Sequence, residues 1–78
     1  MLLEIITPEK KLYSGEVKSV KLPGSAGSFG VLKNHAPLIS SLKKGTIKLV
    51  DEEKKTHTFD VKSGVMEVLK NKIIVLAG

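Results

Sequence analysis

Apolar and polar positions alternate along most of the chain with a period of two. Leu3, Ile5 and Thr7 fall on one side of the first stretch and Leu2, Glu4 and Ile6 on the other, which predicts a strand over Leu2 to Thr7 that ends at Pro8. Ser14-Gly15 is expected to form a turn or a bulge. Glu16 to Leu22 predicts a second strand, whose apolar Val17, Val20 and Leu22 slip once out of alternation. One extra residue between Val17 and Val20, taken up as a bulge, would keep both valines inward. Pro23-Gly24 is expected to close that strand as a turn.

From Gly27 to Leu38 the chain fits neither a free alternating strand nor a helix. Two glycines frame Phe29, Val31 and Leu32 can anchor the backbone on a core, and Asn34 to Pro37 forces a turn. Short strands are then predicted at Leu38 to Leu42, Thr46 to Val50, Thr56 to Val61, Val65 to Leu69 and Ile73 to Leu76. Asp51 to Lys55 supplies a charged hairpin tip, and His57, Phe59 and Val61 share a face of the strand after it. The continuous run Ile73-Ile74-Val75-Leu76 is expected to be buried on both faces. Turns are assigned to Gly15, Gly27, Gly30, Pro37, Gly45 and Gly64.

No segment keeps a helical period for three turns. Turn signals every ~8–12 residues point to an all-β sandwich or barrel of about seven to ten short strands. With 78 residues there is one domain and one small core, and contacts with a partner would add to its stability.

Composition narrows the function. There is no cysteine, so a disulfide scaffold and a thiolate zinc site are both out of reach. No stretch comes near the ~20 apolar residues of a membrane-spanning helix. The formal charge is +5 and every one of the 13 basic residues is lysine, with only Tyr13, Phe29 and Phe59 as aromatics. Lysine without arginine, and without stacking aromatics, is a poor reader of phosphates and bases, and nucleic acid is not expected as a partner. An acidic protein partner suits the charge better.

Catalytic patterns are missing as well. His35 and His57 lie in different elements with no triad acid, and no Gly-x-Ser-x-Gly elbow occurs. Asp51, Glu52 and Glu53 read as a solvated charge run. The glycines of Gly24 to Gly30 lack the following Gly-Lys-Ser/Thr and helix of a phosphate loop. No catalytic residue, metal ligand or cofactor site is assigned. His35 stands out as a loop residue, either hydrogen-bonded locally or lying on a contact surface near Phe29.

The segment Gly27-x-Phe29-Gly30-Val31-Leu32-x-x-His35-Ala36-Pro37-Leu38 carries a resemblance. With Tyr13-Ser14-Gly15-Glu16-Val17 and Leu22-Pro23 before it, and Leu42-Lys43-x-Gly45 and Val75-Leu76-Ala77 after it, the chain resembles the N-terminal domain of the epsilon subunit of F-type ATP synthase, called delta in mitochondria. The resemblance implies a flattened ten-stranded β-sandwich of two sheets. It implies a non-catalytic rotor part of the central stalk, docked on the gamma subunit and the c-ring of Fo, that couples proton flow to ATP synthesis. Membrane association would come only through the complex, at the cytoplasmic face of a bacterial plasma membrane. Ser28, Phe29 and His35 would lie in the ring-facing region, whereas the gamma-facing surface is not assigned residue by residue. Ser28 stands where many members carry an acid, Lys33-Asn34 where many have Pro-Gly, and Lys62-Ser63-Gly64-Val65 keeps one glycine where many have two. The helical hairpin that follows this domain in familiar epsilon subunits is absent from the sequence, so neither hairpin inhibition nor nucleotide binding is expected of these residues. A small β-barrel module for single-stranded nucleic acid is the second reading.

Overall fold

A computed structural model describes residues 1–32 and 36–78, and every regular element in it is a strand. In chain order these are β1 (Leu2–Ile6), β2 (Lys11–Gly24), β3 (Gly27–Leu32), β4 (Leu38–Leu42), β5 (Gly45–Asp51), β6 (Thr56–Val61), β7 (Gly64–Leu69) and β8 (Lys72–Ala77). Ladder pairing runs β1-β8-β7-β4-β2-β5-β6, with β3 on β2 and a further β1–β2 pairing. Only β1 and β8 are parallel among these pairs.

The long β2 organises the architecture. Its first half pairs with β1, and its second half lies between β3 and β5. One continuous sheet therefore doubles over as a sandwich-like body, with β1, β8, β7 and β4 in one layer and β3, β5 and β6 in the other. The described residues form eight strands where the resemblance implies ten, and β2 serves both layers without a break. The bend falls at a register shift between Val17 and Ser19, where the broken alternation of the sequence placed a bulge.

Leu3, Ile5, Met66, Val68, Ile73 and Val75 of the first layer face Val20, Leu22, Val31, Ile47 and Leu49 of the second, all nearly free of solvent contact. No polar side chain is buried among the described residues. Such a core is close-packed and stiff.

Three expected turns are strands instead. Ser14 and Gly15 continue β2 opposite Glu4 and Leu3. Pro23 and Gly24 stay in β2 opposite Ser28 and Gly27, so the hairpin turns at Ser25 and Ala26. Gly27–Leu32 is itself a strand. At Ser14-Gly15 the ladder with β1 outweighs the local preference of glycine for turns, and at Pro23-Gly24 and Gly27–Leu32 a tight β2–β3 hairpin carries both strands up to its two turn residues, helped by the Gly24–Leu42 pairing. Gly30 accordingly lies within a strand, and Gly27 takes a φ of 135°, a conformation glycine alone reaches freely. Gly45 and Gly64 open β5 and β7 directly after turns, and Pro37 is exposed immediately before β4. The run at β8 is buried on one face only: Ile73 and Val75 are inside, Ile74 is half-buried and Leu76 is exposed.

Candidate functional site: an apolar outer face and a β-hairpin tip

Alternation in the first layer sends a second set of apolar side chains outward. Ile39 is 69% exposed, Leu69 56%, Leu76 55% and Val65 47%. Cross-strand register puts Leu76 opposite both Val65 and Ile6, and Ile74 opposite both Glu4 and Glu67. Ile39 stands across from Glu67 on the next strand. The result is one outer face on which apolar side chains from β1, β8, β7 and β4 alternate with a few charges. Isolated exposed leucines are ordinary, but Ile39, Val65, Leu69 and Leu76 converge from three neighbouring strands, β4, β7 and β8, into one exposed apolar patch. The expectation that β8 would be buried on both faces had hidden it.

Glu4 crosses this face. Its carboxylate accepts a hydrogen bond from Lys11 Nζ at 2.9 Å and pairs with Lys72 Nζ at 3.5 Å. The Lys11 hydrogen bond, with the charges of both lysines, holds its carboxyl below the usual range. The pair links β1 to β2 and β8, and Glu67 is the other acid on this face.

Of the residues the resemblance places toward the ring, Ser28 and Phe29 are neighbours on β3 but point to opposite faces. Ser28 is exposed across from Pro23. Phe29 pairs with Leu22, packs on the core and is half-buried, with its ring lying over Gly24. A Cβ on Gly24 would come 2.7 Å from that ring and from the Gly27 carbonyl oxygen. His35 lies outside the described residues. Phe29→Ala uncovers Gly24 and part of the core, and is expected to cost about 2 kcal/mol, below the range for a fully buried aromatic. Thermal unfolding of the isolated domain measures this, and an unchanged midpoint would assign Phe29 to contact alone.

At the β5–β6 tip Asp51 is a structural acceptor and not a freely solvated charge. Its Oδ1 accepts the amides of Glu53 and Lys55 at 2.8 and 2.9 Å, and its Oδ2 lies 2.8 Å from His57 Nε2. His57 in turn tilts against the Tyr13 ring at 5.6 Å, and Tyr13 meets Phe59 edge-on at 5.9 Å. Burial first, then the Asp51 charge, raises the Tyr13 hydroxyl above its ordinary pKa. The His57 hydrogen bond first, then the backbone amides, lowers that of Asp51. A carboxylate whose pKa is depressed by folding stabilises the native state above its unfolded pKa, and that contribution disappears as pH falls through the folded value. The unfolding midpoint is therefore expected to drop below about pH 4, the unfolded carboxylate range. Asp51→Asn should flatten that acid limb in a pH series of melts while Glu4 still contributes to it.

No group of three or more potential metal ligands occurs among the described residues. No helix there is long and apolar enough to cross a membrane.

The model of the ATP synthase delta/epsilon chain β-sandwich domain matches residues 1–78. The chain belongs to that family. The epsilon chain of ATP synthase from Chlorobaculum tepidum is 46% identical over 74 residues, covering 95% of this chain and 84% of that one. The epsilon chain from Desulfatibacillum aliphaticivorans is 46% identical over 77 residues, covering 99% of this chain and 55% of its own length. That from Campylobacter jejuni is 50% identical over 74 residues, with 95% and 57% covered. This delta/epsilon-type domain thus spans little more than half of several relatives. Its fold is that of a chain in the cryo-EM structure of Euglena gracilis mitochondrial ATP synthase with OSCP, F1 and c-ring, at a TM-score of 0.92 and 16% identity, covering 99% of this chain and 49% of that one. A chain of the central stalk and c-ring structure from Tetrahymena thermophila agrees at 0.82 and 14%, with 99% and 62% covered.

Proposed function

We propose that the domain is a non-catalytic rotor element of an F-type ATP synthase, held between the gamma subunit and the c-ring so that ring rotation reaches the catalytic head. Family membership motivates the assignment. The observation that carries it is the outer face of β1, β8, β7 and β4, where Ile39, Val65, Leu69 and Leu76 stand in solvent on a body with a complete core of its own. That face is the docking surface for gamma. A rotor part has to transmit force without deforming, and a close-packed sandwich with no buried polar side chain among the described residues suits the task.

Ser28, at the β2–β3 end, together with His35, forms the ring-facing region. Phe29, the third residue of that region, is half-buried and packs on the core. With serine at position 28, the ring contact there is a neutral one. The complex brings the domain to the cytoplasmic side of a bacterial plasma membrane. Co-purification with the cognate gamma subunit, followed by size-exclusion chromatography with mass determination, tests the assignment. A stable one-to-one complex is expected; two separate, folded components would refute docking on gamma by this domain.

A further inference from the structure

The second layer holds a different kind of surface at β3. This strand pairs with β2 and with no other described element, so among the described residues its outer edge has no ladder partner. Natural sheets usually blunt such an edge with a charged residue or proline. Gly27-Ser28-Phe29-Gly30-Val31-Leu32 contains neither. β6, the other strand with a single partner, does carry an acid, Asp60.

Beside the open edge lies an unbalanced pair of cations. Lys21 and Lys48 are direct cross-strand partners, and Lys21 is also the partner of Gly30 on β3. Like charges set opposite one another repel, and neither lysine has an ion-pair partner among the described residues. Between them and the edge is a hollow of about 310 Å³, floored by Gly30 and Val50 and flanked by Ser19, Lys21 and Lys48. The absent side chain at Gly30 keeps it open: a Cβ built there finds its nearest neighbour, the Val20 carbonyl oxygen, at 3.8 Å.

We infer that β3 is a docking edge for an extended acidic segment of a partner protein, which adds as a strand beside Gly27–Leu32 and sends a carboxylate across Gly30 to Lys21, with Lys48 on the next strand reinforcing the positive charge. Backbone pairing supplies the affinity and the two lysines supply the selectivity, as in other strand-addition complexes. A strand added there lies about 10 Å from β2, two ladder spacings. A lysine and a glutamate extended toward each other close that gap only when the intervening position carries no side chain. The site is in the layer opposite the apolar face, and it does not depend on the gamma assignment.

The test is a ¹H–¹⁵N titration of the labelled domain with a capped peptide, Thr-Glu-Val-Glu-Val-Glu-Thr. Its counterpart with lysine for glutamate and a twelve-residue oligothymidylate serve as comparisons. The acidic peptide is expected to shift the amides of Ser28 to Val31, to bind at least about tenfold more tightly than the lysine peptide, and to weaken as salt screens the contact. Lys21→Glu with Lys48→Glu should reduce its affinity about tenfold or more. Gly30→Glu, which sends an acid of the domain's own into the hollow, should do the same. Should either variant fail to fold, the salt and peptide comparisons on the unaltered domain decide. Equal binding of both peptides, shifts confined to the β6 edge or the apolar face, or tighter binding of oligothymidylate would each overturn the inference.

Discussion

Gly64→Ala is expected to lower the unfolding midpoint of the domain by about 12–24 °C, from an overpacking cost of about 3 kcal/mol in a chain of this size. Gly64 opens β7 and is paired on both sides, with Leu42 of β4 and Ala77 of β8. A Cβ there would stand 2.6 Å from the Leu76 carbonyl oxygen and 3.3 Å from Ala77 Cα. Both neighbours are backbone, so no rotamer change relieves the clash, and the strands themselves must separate. Gly64 does not adopt a positive φ, which leaves steric exclusion as the whole effect. Gly30→Ala is the control. Its site has space for a methyl group, and its stability should stay within about 0.5 kcal/mol of the unaltered domain, as for other surface changes. Circular dichroism melts of the two variants would settle the comparison, and equal midpoints would show that β7 and β8 can part at no cost.

The second large effect is on assembly. Val65→Asp with Leu76→Asp should weaken the complex with the gamma subunit by about 30-fold or more, the loss associated with interface positions worth ~2 kcal/mol. The two residues are cross-strand partners on the exposed face, so the substitutions place two carboxylates side by side in the proposed interface. Neither contributes to the core, so the isolated domain should stay folded, with a midpoint lowered by the repulsion of the two facing carboxylates. Size-exclusion chromatography with mass determination, run on the double variant and the unaltered domain with gamma, reads the first effect, and a melt reads the second. Retention of the complex would move the docking surface elsewhere on the body. Loss of the complex together with loss of fold would make Leu76 a core residue in practice, against its exposure.

Much of the hairpin arrangement is present in local pattern. Thr46 to Val50 and Thr56 to Val61 alternate cleanly around a charged tip, and they pair as β5 and β6 with Ile47 opposite Phe59 and Leu49 opposite His57. The broken spacing from Val17 to Val20 marked the register shift in β2. Local pattern failed at the glycines and prolines. Ser14-Gly15, Pro23-Gly24 and the Gly27–Leu32 stretch resemble turns or loops, yet Ser14-Gly15 lies in the ladder with β1 and the other two pair with each other as the arms of a hairpin. A residue's own preference amounts to a fraction of the energy of a paired, half-buried strand position, so tertiary pairing decides. Asp51 shows the same limit among the charges: adjacency to Glu52 and Glu53 suggested solvent, and closure of the hairpin turned it into the acceptor of two amides beside His57.

Sequence alone determined the all-β class and, through the spacing of glycine, histidine and proline around Phe29, the family. These follow from side-chain period and residue identity, which are local properties. Only the tertiary structure decided which apolar residues are core and which are surface. Ile73 and Leu76 belong to the same apolar run, but Ile73 meets the opposite layer and Leu76 faces away from it, and no composition rule separates them. It likewise decided that β3 ends the sheet with Lys21 and Lys48 beside its open edge, because strand order arises from pairing between segments far apart in the chain.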